Sequence, residues 1–226
     1  MRQLPGDLRA RFRAAANDLP RRDDAVYEAA GRDPCEPIFG LGPADAPIAF
    51  FGRDPGREEV NVGVPFIGAG GRQLRRVLYQ RRHRGEMLTG ADALAAGAGY
   101  FWANTVPYKP LGNRAWSMAV KRRFQPLVAE VLLGQWRGLD IISLGREAFF
   151  WFGIGQAPGL CQHLGHHWQR PDRFEASLPI DYGAASGRTR RLTIHPLPHP
   201  SPLNATWYQR FPGLLARRLD QLEGPA

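Results

Sequence analysis

The stretch Ile48-Ala49-Phe50-Phe51-Gly52-Arg53-Asp54-Pro55-Gly56 decides the fold, because an apolar strand runs directly into a polar turn. Four consecutive apolar residues at 48–51 are typical of a strand that is covered on both faces. In open α/β sheets, ligands bind beside the polar loops that follow the carboxyl ends of the strands. The stretch therefore predicts a buried strand in a parallel sheet, with a candidate ligand site beside Asp54.

Three further strand signals follow along the chain, and each opens onto a distinctive loop. The alternation of these strands with helical patterns predicts an α/β fold, a single-domain three-layer α/β/α sandwich with a central, mainly parallel four-stranded sheet. Residues 161–190 have weak periodicity and predict a loop, or an irregular antiparallel hairpin. Pro212 is a candidate start for the last helix. The predicted strands are 48–51, 100–106, 140–145 and 191–194, and the predicted helices are 4–18, 73–80, 121–136, 147–152 and 207–222.

Length and composition limit the architecture and the partners. A chain of 226 residues with 43% hydrophobic content can bury one full-sized core, so residues 1–226 are expected to form one domain. The formal charge of +9 makes a polyanion a plausible partner. Lys109 and Lys121 are the only lysines, so nearly all of the basic residues are arginines. A preference for arginine over lysine is typical of high-GC genomes, but it does not explain the excess of basic over acidic residues.

The two cysteines, Cys35 and Cys161, are too few for a four-cysteine cluster and too far apart for a Cys-x-x-Cys motif. We expect two reduced thiols, no metal and no cofactor. The sequence has no apolar run of signal-peptide or membrane-span length, so a cytoplasmic protein without membrane contact is expected.

Two motifs stand out as candidates for chemistry. Taken alone, Gly52-Arg-Asp-Pro-Gly56 is an ordinary turn. However, a carboxylate at the end of a buried strand can be desolvated enough to orient water or stabilise a developing cation. His199-Pro-Ser-Pro-Leu203 is alone a proline-stiffened strand exit. It nevertheless presents an imidazole donor, a hydroxyl for phosphate and an exposed Leu within five residues.

From about residue 35 to residue 219 the chain resembles the uracil-DNA glycosylase superfamily, because four blocks match in order. The frame is similar to the iron-sulfur branch, called family four, whereas Asp54 and the His199 motif are closest to family one. The iron-sulfur branch has four cluster cysteines and this chain has two, so no cluster is expected. The blocks are 52–56 with 63–70 (GVPFIGAG), 104–114 (NTVPYKPLGNR), 141–145 (IISLG) and 199–203 (HPSPL).

The resemblance implies a monofunctional glycosylase that flips uracil out of DNA and hydrolyses its N-glycosidic bond with an activated water, leaving an abasic site. Asp54 and His199 are implied to be catalytic: Asp54 positions water and stabilises the sugar cation, and His199 donates to O2 of the departing uracilate. Phe66 is implied to stack on the base and Asn104 to read its N3–H and O4. The further implied contacts are Gly52 and Arg53 with substrate, and Gly68, Gly70, Gly71, Ser201, Leu203 and Asn204 with DNA.

Several alternatives remain open. His195 competes with His199, although it falls where the strand is expected to continue. Leu203 could pack under the last helix instead of filling the gap left by the flipped base. The basic stretch 121–125 lacks the histidine of the branch that captures DNA covalently, so a solvated helix start is expected there.

Gly56 replaces the family-one tyrosine that excludes thymine, so a broader-range glycosylase acting on thymine or hypoxanthine is an alternative. A non-catalytic DNA-damage-binding module is another. The expected partners are DNA containing uracil, with uracil as product, and a monomer is expected.

Overall fold

The computed structural model describes residues 3–83 and 89–225 of the chain. Within these ranges the strands are Ile48–Gly52 (β1), Phe101–Asn104 (β2), Asp140–Leu144 (β3), Leu178–Gly183 (β4) and Thr189–Leu197 (β5). They form one sheet in the order β2-β1-β3-β5-β4. Strands β2, β1, β3 and β5 are parallel, and β4 is antiparallel to β5. The α/β class and the mainly parallel sheet are confirmed, but the sheet has five strands instead of the predicted four.

Helices cover both faces of this sheet, which confirms the three-layer arrangement. One face packs against α1, α6, α7 and α8, and the other packs against α4, α5 and α9. The short helices α2 and α3 contact each other beside the sheet. The helices in the described ranges are Gly6–Ala16 (α1), Asp24–Ala29 (α2), Arg57–Val62 (α3), Ala69–Gln80 (α4), Gly90–Ala96 (α5), Met118–Gly134 (α6), Arg146–Trp151 (α7), Pro158–Gln169 (α8) and Ala205–Glu223 (α9).

The apolar run of β1 explains its central place. Successive side chains of a strand point to opposite faces. Ala49 and Phe51 accordingly enter the core beneath α6 and α7, whereas Ile48 and Phe50 enter the core beneath α4 and α9. All five residues of β1 are buried, as the unbroken apolar pattern predicts.

The fifth strand, β4, lies within the segment for which a loop or hairpin was predicted. It occupies the edge of the sheet, so only one of its long sides is paired and its outer residues stay in solvent. Ile180 and Tyr182 are buried, whereas the alternate residues Pro179 and Asp181 are exposed. Such an edge tolerates Pro and charge, which removes most of the strand signal from the sequence. The antiparallel hairpin with β5 was the correct alternative.

The prediction of a loop from residue 161 onwards was wrong, because α8 continues to Gln169. This helix buries only Leu164 and His167, so its apolar stripe is too sparse to show a helical period.

Pro212 does not start the last helix, since α9 begins at Ala205 and contains the proline. A proline inside a helix removes the hydrogen bond to the carbonyl four residues earlier. That carbonyl belongs to Tyr208, and it accepts a hydrogen bond from Gln73 Nε2 at 2.7 Å. The contact between α4 and α9 therefore stabilises one continuous helix, although Pro212 indicates a helix start in the sequence.

None of the helices in the described part of the chain is long and apolar enough to span a membrane.

Candidate active site

The carboxyl ends of the parallel strands open onto a cavity of about 420 Å³. This volume lies within the usual range of ligand pockets. Eleven of the twelve site residues named from the sequence line it, and Asn204 does not. The eleven are Gly52, Arg53, Asp54, Phe66, Gly68, Gly70, Gly71, Asn104, His199, Ser201 and Leu203.

Asp54 follows β1 and places a buried carboxyl group in the cavity. Its side chain is 2% exposed. Thr105 Oγ1 donates to Asp54 Oδ1 at 3.3 Å, and Arg53 Nε lies 3.5 Å from Oδ2. Burial raises the pKa of Asp54 to about 7, against the opposing effects of Arg53, Lys121 and the Thr105 hydrogen bond. A carboxyl group with this pKa can exist in either protonation state near neutral pH.

The positive charge of Lys121, on α6, acts on this carboxyl group. The stretch 121–125 was expected to be a solvated helix start, and this is wrong for Lys121, Phe124 and Gln125, which are buried inside α6. Lys121 is paired with Glu147. The following Arg122 and Arg123 are exposed, as expected. The helix begins earlier, at Met118, where the Ser117 side chain accepts from the Val120 amide and caps the first turn.

Asn104 ends β2 directly beside the end of β1, because Gly52 pairs with Asn104 in the parallel register. Its side-chain Nδ2 donates to the Arg53 carbonyl oxygen at 2.6 Å, which fixes the orientation of the amide. The residue is 3% exposed, and Asn104 Oδ1 has no hydrogen-bond partner among the described residues. A buried acceptor without a partner costs free energy, and a ligand that donates an N–H group removes that cost.

Phe66 forms the aromatic wall of the cavity. Its ring lies over Gly52, where an added Cβ would come within 2.5 Å of Phe66 Cε1. An added Cβ at Gly71 would overlap the Phe66 carbonyl group. The two glycines therefore allow the aromatic residue to approach both the end of β1 and the first turn of α4.

Glu59 is a pocket residue that the sequence analysis missed. Its two carboxylate oxygens accept from the backbone amides of Gly56 at 3.0 Å and Gly68 at 2.8 Å. It thereby joins the loop that carries Asp54 to the start of α4. The spacing of a carboxylate three residues after a helix-starting residue is the capping-box signal, which could have identified it.

The contacts of Glu59 involve one residue that was expected to contact DNA. The Gly68 amide donates to the Glu59 carboxylate, so a contact of Gly68 with DNA stays a prediction. Gly70 packs against the other end of the pocket, since an added Cβ there would lie 2.5 Å from the Pro200 carbonyl oxygen. Gly70 and Gly71 lie within the first turn of α4 and not in a preceding loop.

His199 follows β5, lines the cavity and packs against Gly145. Gly145 has φ +88°, a conformation that favours glycine, and an added Cβ would lie 2.8 Å from His199 Cβ. Burial lowers the pKa of His199 to about 4, and the charge of Arg53 acts in the same direction. The imidazole is therefore neutral at pH 7, with one ring N–H available as a donor.

The loop after His199 presents Ser201 and Leu203 at the rim. Ser201 Oγ accepts from the Leu203 amide at 3.3 Å, so its own O–H remains able to donate. The Leu203 side chain is 98% exposed, which excludes packing under α9. Asn204 lies just before α9, and its carbonyl oxygen accepts from the Trp207 and Tyr208 amides.

His195, the competing histidine, lies within β5 and outside the cavity. Its Nδ1 is 2.8 Å from Ser177 Oγ, and its Nε2 is 2.9 Å from Asp140 Oδ1. Asp140 is the first residue of β3, so its carboxylate lies at the amino end of that strand, whereas the cavity lies at the carboxyl ends. Both ring nitrogens are engaged, which leaves His199 as the histidine of the pocket.

The side chains that could hold a metal do not gather in the described ranges, where no group of three or more His, Cys, Asp and Glu residues has a suitable arrangement.

The fold and the cavity together define an α/β protein with a candidate hydrolytic site at the carboxyl edge of its parallel strands. The family model described as the uracil DNA glycosylase superfamily matches residues 39–223. Since this match spans most of the 226 residues, the chain belongs to the uracil-DNA glycosylase superfamily. Members of the superfamily are DNA glycosylases, which hydrolyse N-glycosyl bonds in DNA during base excision repair.

Proposed function

We propose that this protein is a uracil-DNA glycosylase that hydrolyses the N-glycosidic bond of uracil in DNA and leaves an abasic site. The observation that carries the proposal is the Asn104 amide. Its Nδ2 is fixed by the Arg53 carbonyl and its buried Oδ1 lacks a partner. An acceptor at Oδ1 matches the N3–H of uracil, and the remaining N–H of Nδ2 can donate to O4. Cytosine reverses this pattern, because its N3 accepts and its N4 donates.

Stacking on Phe66 supplies binding energy without base selectivity. The ring stands above Gly52 on the wall of the cavity that also contains Asn104. Base–aromatic stacking is worth about 1–3 kcal/mol and accepts any base. Selection of uracil over cytosine therefore rests on the Asn104 hydrogen bonds, whereas retention of the flipped base rests on Phe66.

Bond cleavage requires negative charge near the sugar and a donor near the leaving base. The ionised form of Asp54 stabilises the developing sugar cation and positions water, since its side chain is buried in the cavity. The neutral His199 donates an N–H to O2 of the departing uracilate. A neutral donor does not lose a proton to the leaving base, so the leaving group departs as a stabilised anion.

DNA contacts at the rim follow from the loop after β5. The Ser201 hydroxyl is positioned to donate to a phosphate, while Leu203 fills the gap in the base stack. Because the Gly68 amide is occupied by Glu59, Ser201 is the better candidate for the phosphate contact than the start of α4.

Incubation with a uracil-containing oligonucleotide, followed by alkali, tests the proposal directly. Strand scission at uracil is expected, and the Asp54→Asn variant is the matched control for a contaminating glycosylase. The substrates are U:G and U:A duplexes, a T:G duplex and single-stranded uracil DNA. Equal cleavage of T:G would favour the broader-range alternative. Binding of uracil DNA without any scission would contradict the proposal and favour a non-catalytic module.

The exposed Leu203 leads to a prediction about duplex DNA. The Leu203→Ala variant is expected to excise uracil from a U:A duplex about tenfold more slowly, because less apolar surface enters the gap in the stack. Single-stranded uracil DNA needs no such support, so its excision should change little. Single-turnover rates on the two substrates measure this difference. Leu139→Ala, which truncates a half-exposed Leu just before β3, is the control. An equal loss on both substrates would show that Leu203 is not the wedge.

A further inference from the structure

Phe66 has a backbone conformation that needs external support. Its φ is +59°, in the left-handed region, which is rare and strained for a bulky residue. Such a conformation persists only where the surrounding structure imposes it. The side chain that stacks on the base therefore depends on whatever holds residues 65 and 66.

Arg75 holds both carbonyl groups that flank Phe66. From the second turn of α4, its Nε donates to the Phe66 carbonyl oxygen at 2.8 Å, and its Nη2 donates to the Pro65 carbonyl oxygen at 3.2 Å. Its Nη1 donates to the Ala93 carbonyl oxygen at 3.0 Å. The two peptide planes on either side of Phe66 are thus fixed by one rigid guanidinium, whose planar geometry a lysine cannot reproduce.

The same guanidinium supports the pocket wall from behind. Arg75 Cζ lies 4.3 Å from the centre of the Trp102 ring, and Trp102 lies 5.2 Å from the Phe66 ring. Trp102 Nε1 donates to the Gly97 carbonyl oxygen, which anchors that ring. Phe66 therefore rests on a buried layer of Trp102 and Arg75.

A structural role alone is a poor explanation for this arginine. Arg75 is 2% exposed, and its three hydrogen bonds end on neutral carbonyl oxygens. Removing a guanidinium from water is costly, and an apolar side chain at this buried position of α4 would avoid that cost. What the guanidinium provides, and an apolar residue cannot, is the fixed orientation of the two carbonyls around Phe66.

We propose that Arg75 is a positioning residue of the glycosylase site, which holds the Phe66 backbone so that its ring stacks on the flipped base. The inference rests on the proposed function for its effect on the rate, but the placement of Phe66 by Arg75 is independent of it. Arg75 touches neither base nor sugar and acts through Phe66.

A double-mutant cycle distinguishes positioning from general stability. The Arg75→Met variant is expected to lower the single-turnover excision rate about tenfold, a fraction of the effect of losing the stack. In a Phe66→Ala background the same substitution should cost less than twofold, because the ring that it positions is absent. Arg76→Met removes an equal charge from an exposed neighbour and is the control. Equal losses in both backgrounds, or none in either, would overturn the inference.

A second readout requires no activity. With 4-fluorophenylalanine at position 66, the parent protein should give one narrow ¹⁹F resonance, and Arg75→Met should broaden or split it. Arg75→Lys, which keeps the charge, serves in the same way if Arg75→Met does not fold. An unchanged resonance in the folded variant would contradict the inference even if the protein excises uracil. Absence of excision by the parent protein, together with a changed resonance, would instead contradict the proposed function alone.

Discussion

Replacement of Asp54 by Asn is expected to slow uracil excision by at least ~10²-fold while leaving the affinity for DNA nearly unchanged. The Asp54 carboxylate is a buried negative charge of the cavity, and an amide cannot supply that charge to a developing cation. Asn retains the acceptor for the Thr105 hydroxyl, so the local hydrogen bonding should persist. Single-turnover excision and binding to an uncleavable duplex measure the two quantities. The control is Asp45→Asn, at an exposed aspartate.

The raised pKa of Asp54 adds a dependence on pH. Excision requires the ionised carboxylate, so the rate of the parent protein should rise with pH through about pH 7. Stability changes in the opposite direction. The folded-state pKa is raised above the usual value of 3.8, so the stability contribution of the protonated group is present below pH 4 and is lost as the pH rises through about 7.

The pH profile of the excision rate should therefore lose its inflection near pH 7 in Asp54→Asn. The variant should also melt at a higher temperature than the parent protein at pH 8, with little difference between the two melting temperatures at pH 4. A rate profile that keeps its inflection in Asp54→Asn would assign the titration to another group. Unchanged excision in the variant would remove Asp54 from the mechanism.

The second large effect is expected at His199. The His199→Ala variant should slow excision by about 10²-fold, because the N–H donor to the leaving base is lost. Burial and Arg53 lower the pKa of His199 to about 4, so the imidazole is neutral throughout the range in which Asp54 titrates. The variant should therefore keep the rise in rate near pH 7 at its reduced level.

Substrates with a better leaving group provide an independent check on His199. For 5-fluorouracil, whose anion is more stable, the penalty of His199→Ala should shrink, since less stabilisation is required. His163→Ala on the exposed side of α8 is the control for loss of a histidine. An identical penalty for both bases would show that His199 acts on something other than the leaving base.

Local signals in the sequence were sufficient to predict the four parallel strands, whereas most of the pocket residues were implied by the family resemblance. The run at 48–51 is apolar throughout and its strand is buried throughout. The motif residues that end β1, β2 and β5 meet at one edge because parallel strands share a carboxyl edge. The placement of these motifs after successive strands thus predicted that their residues lie together. The roles of Asp54 and His199 remain predictions, which the variants above test.

Features that depend on tertiary contact could not be predicted. Pro212 is tolerated inside α9 because Gln73 donates the hydrogen bond that the Tyr208 carbonyl would otherwise lack. Gln73 lies 135 residues before Tyr208. Arg75 reads in the sequence as one of several surface arginines of α4, yet it is buried against Pro65 and Phe66. Glu59 differs from these two, because its partners Gly56 and Gly68 are near in sequence and the capping-box spacing could have identified it. Tertiary contacts determine the environments of Pro212 and Arg75.

From Pro196 near the end of β5 to Pro202 in the following loop, proline stands at every second position. Each proline restricts φ in the unbound protein, so the loop has few alternative conformations to lose when DNA arrives. A repair protein inspects a great many normal base pairs for every damaged one. In the role proposed for Leu203, this stiff support leads us to expect that inspection requires little ordering of the loop at each encounter with DNA.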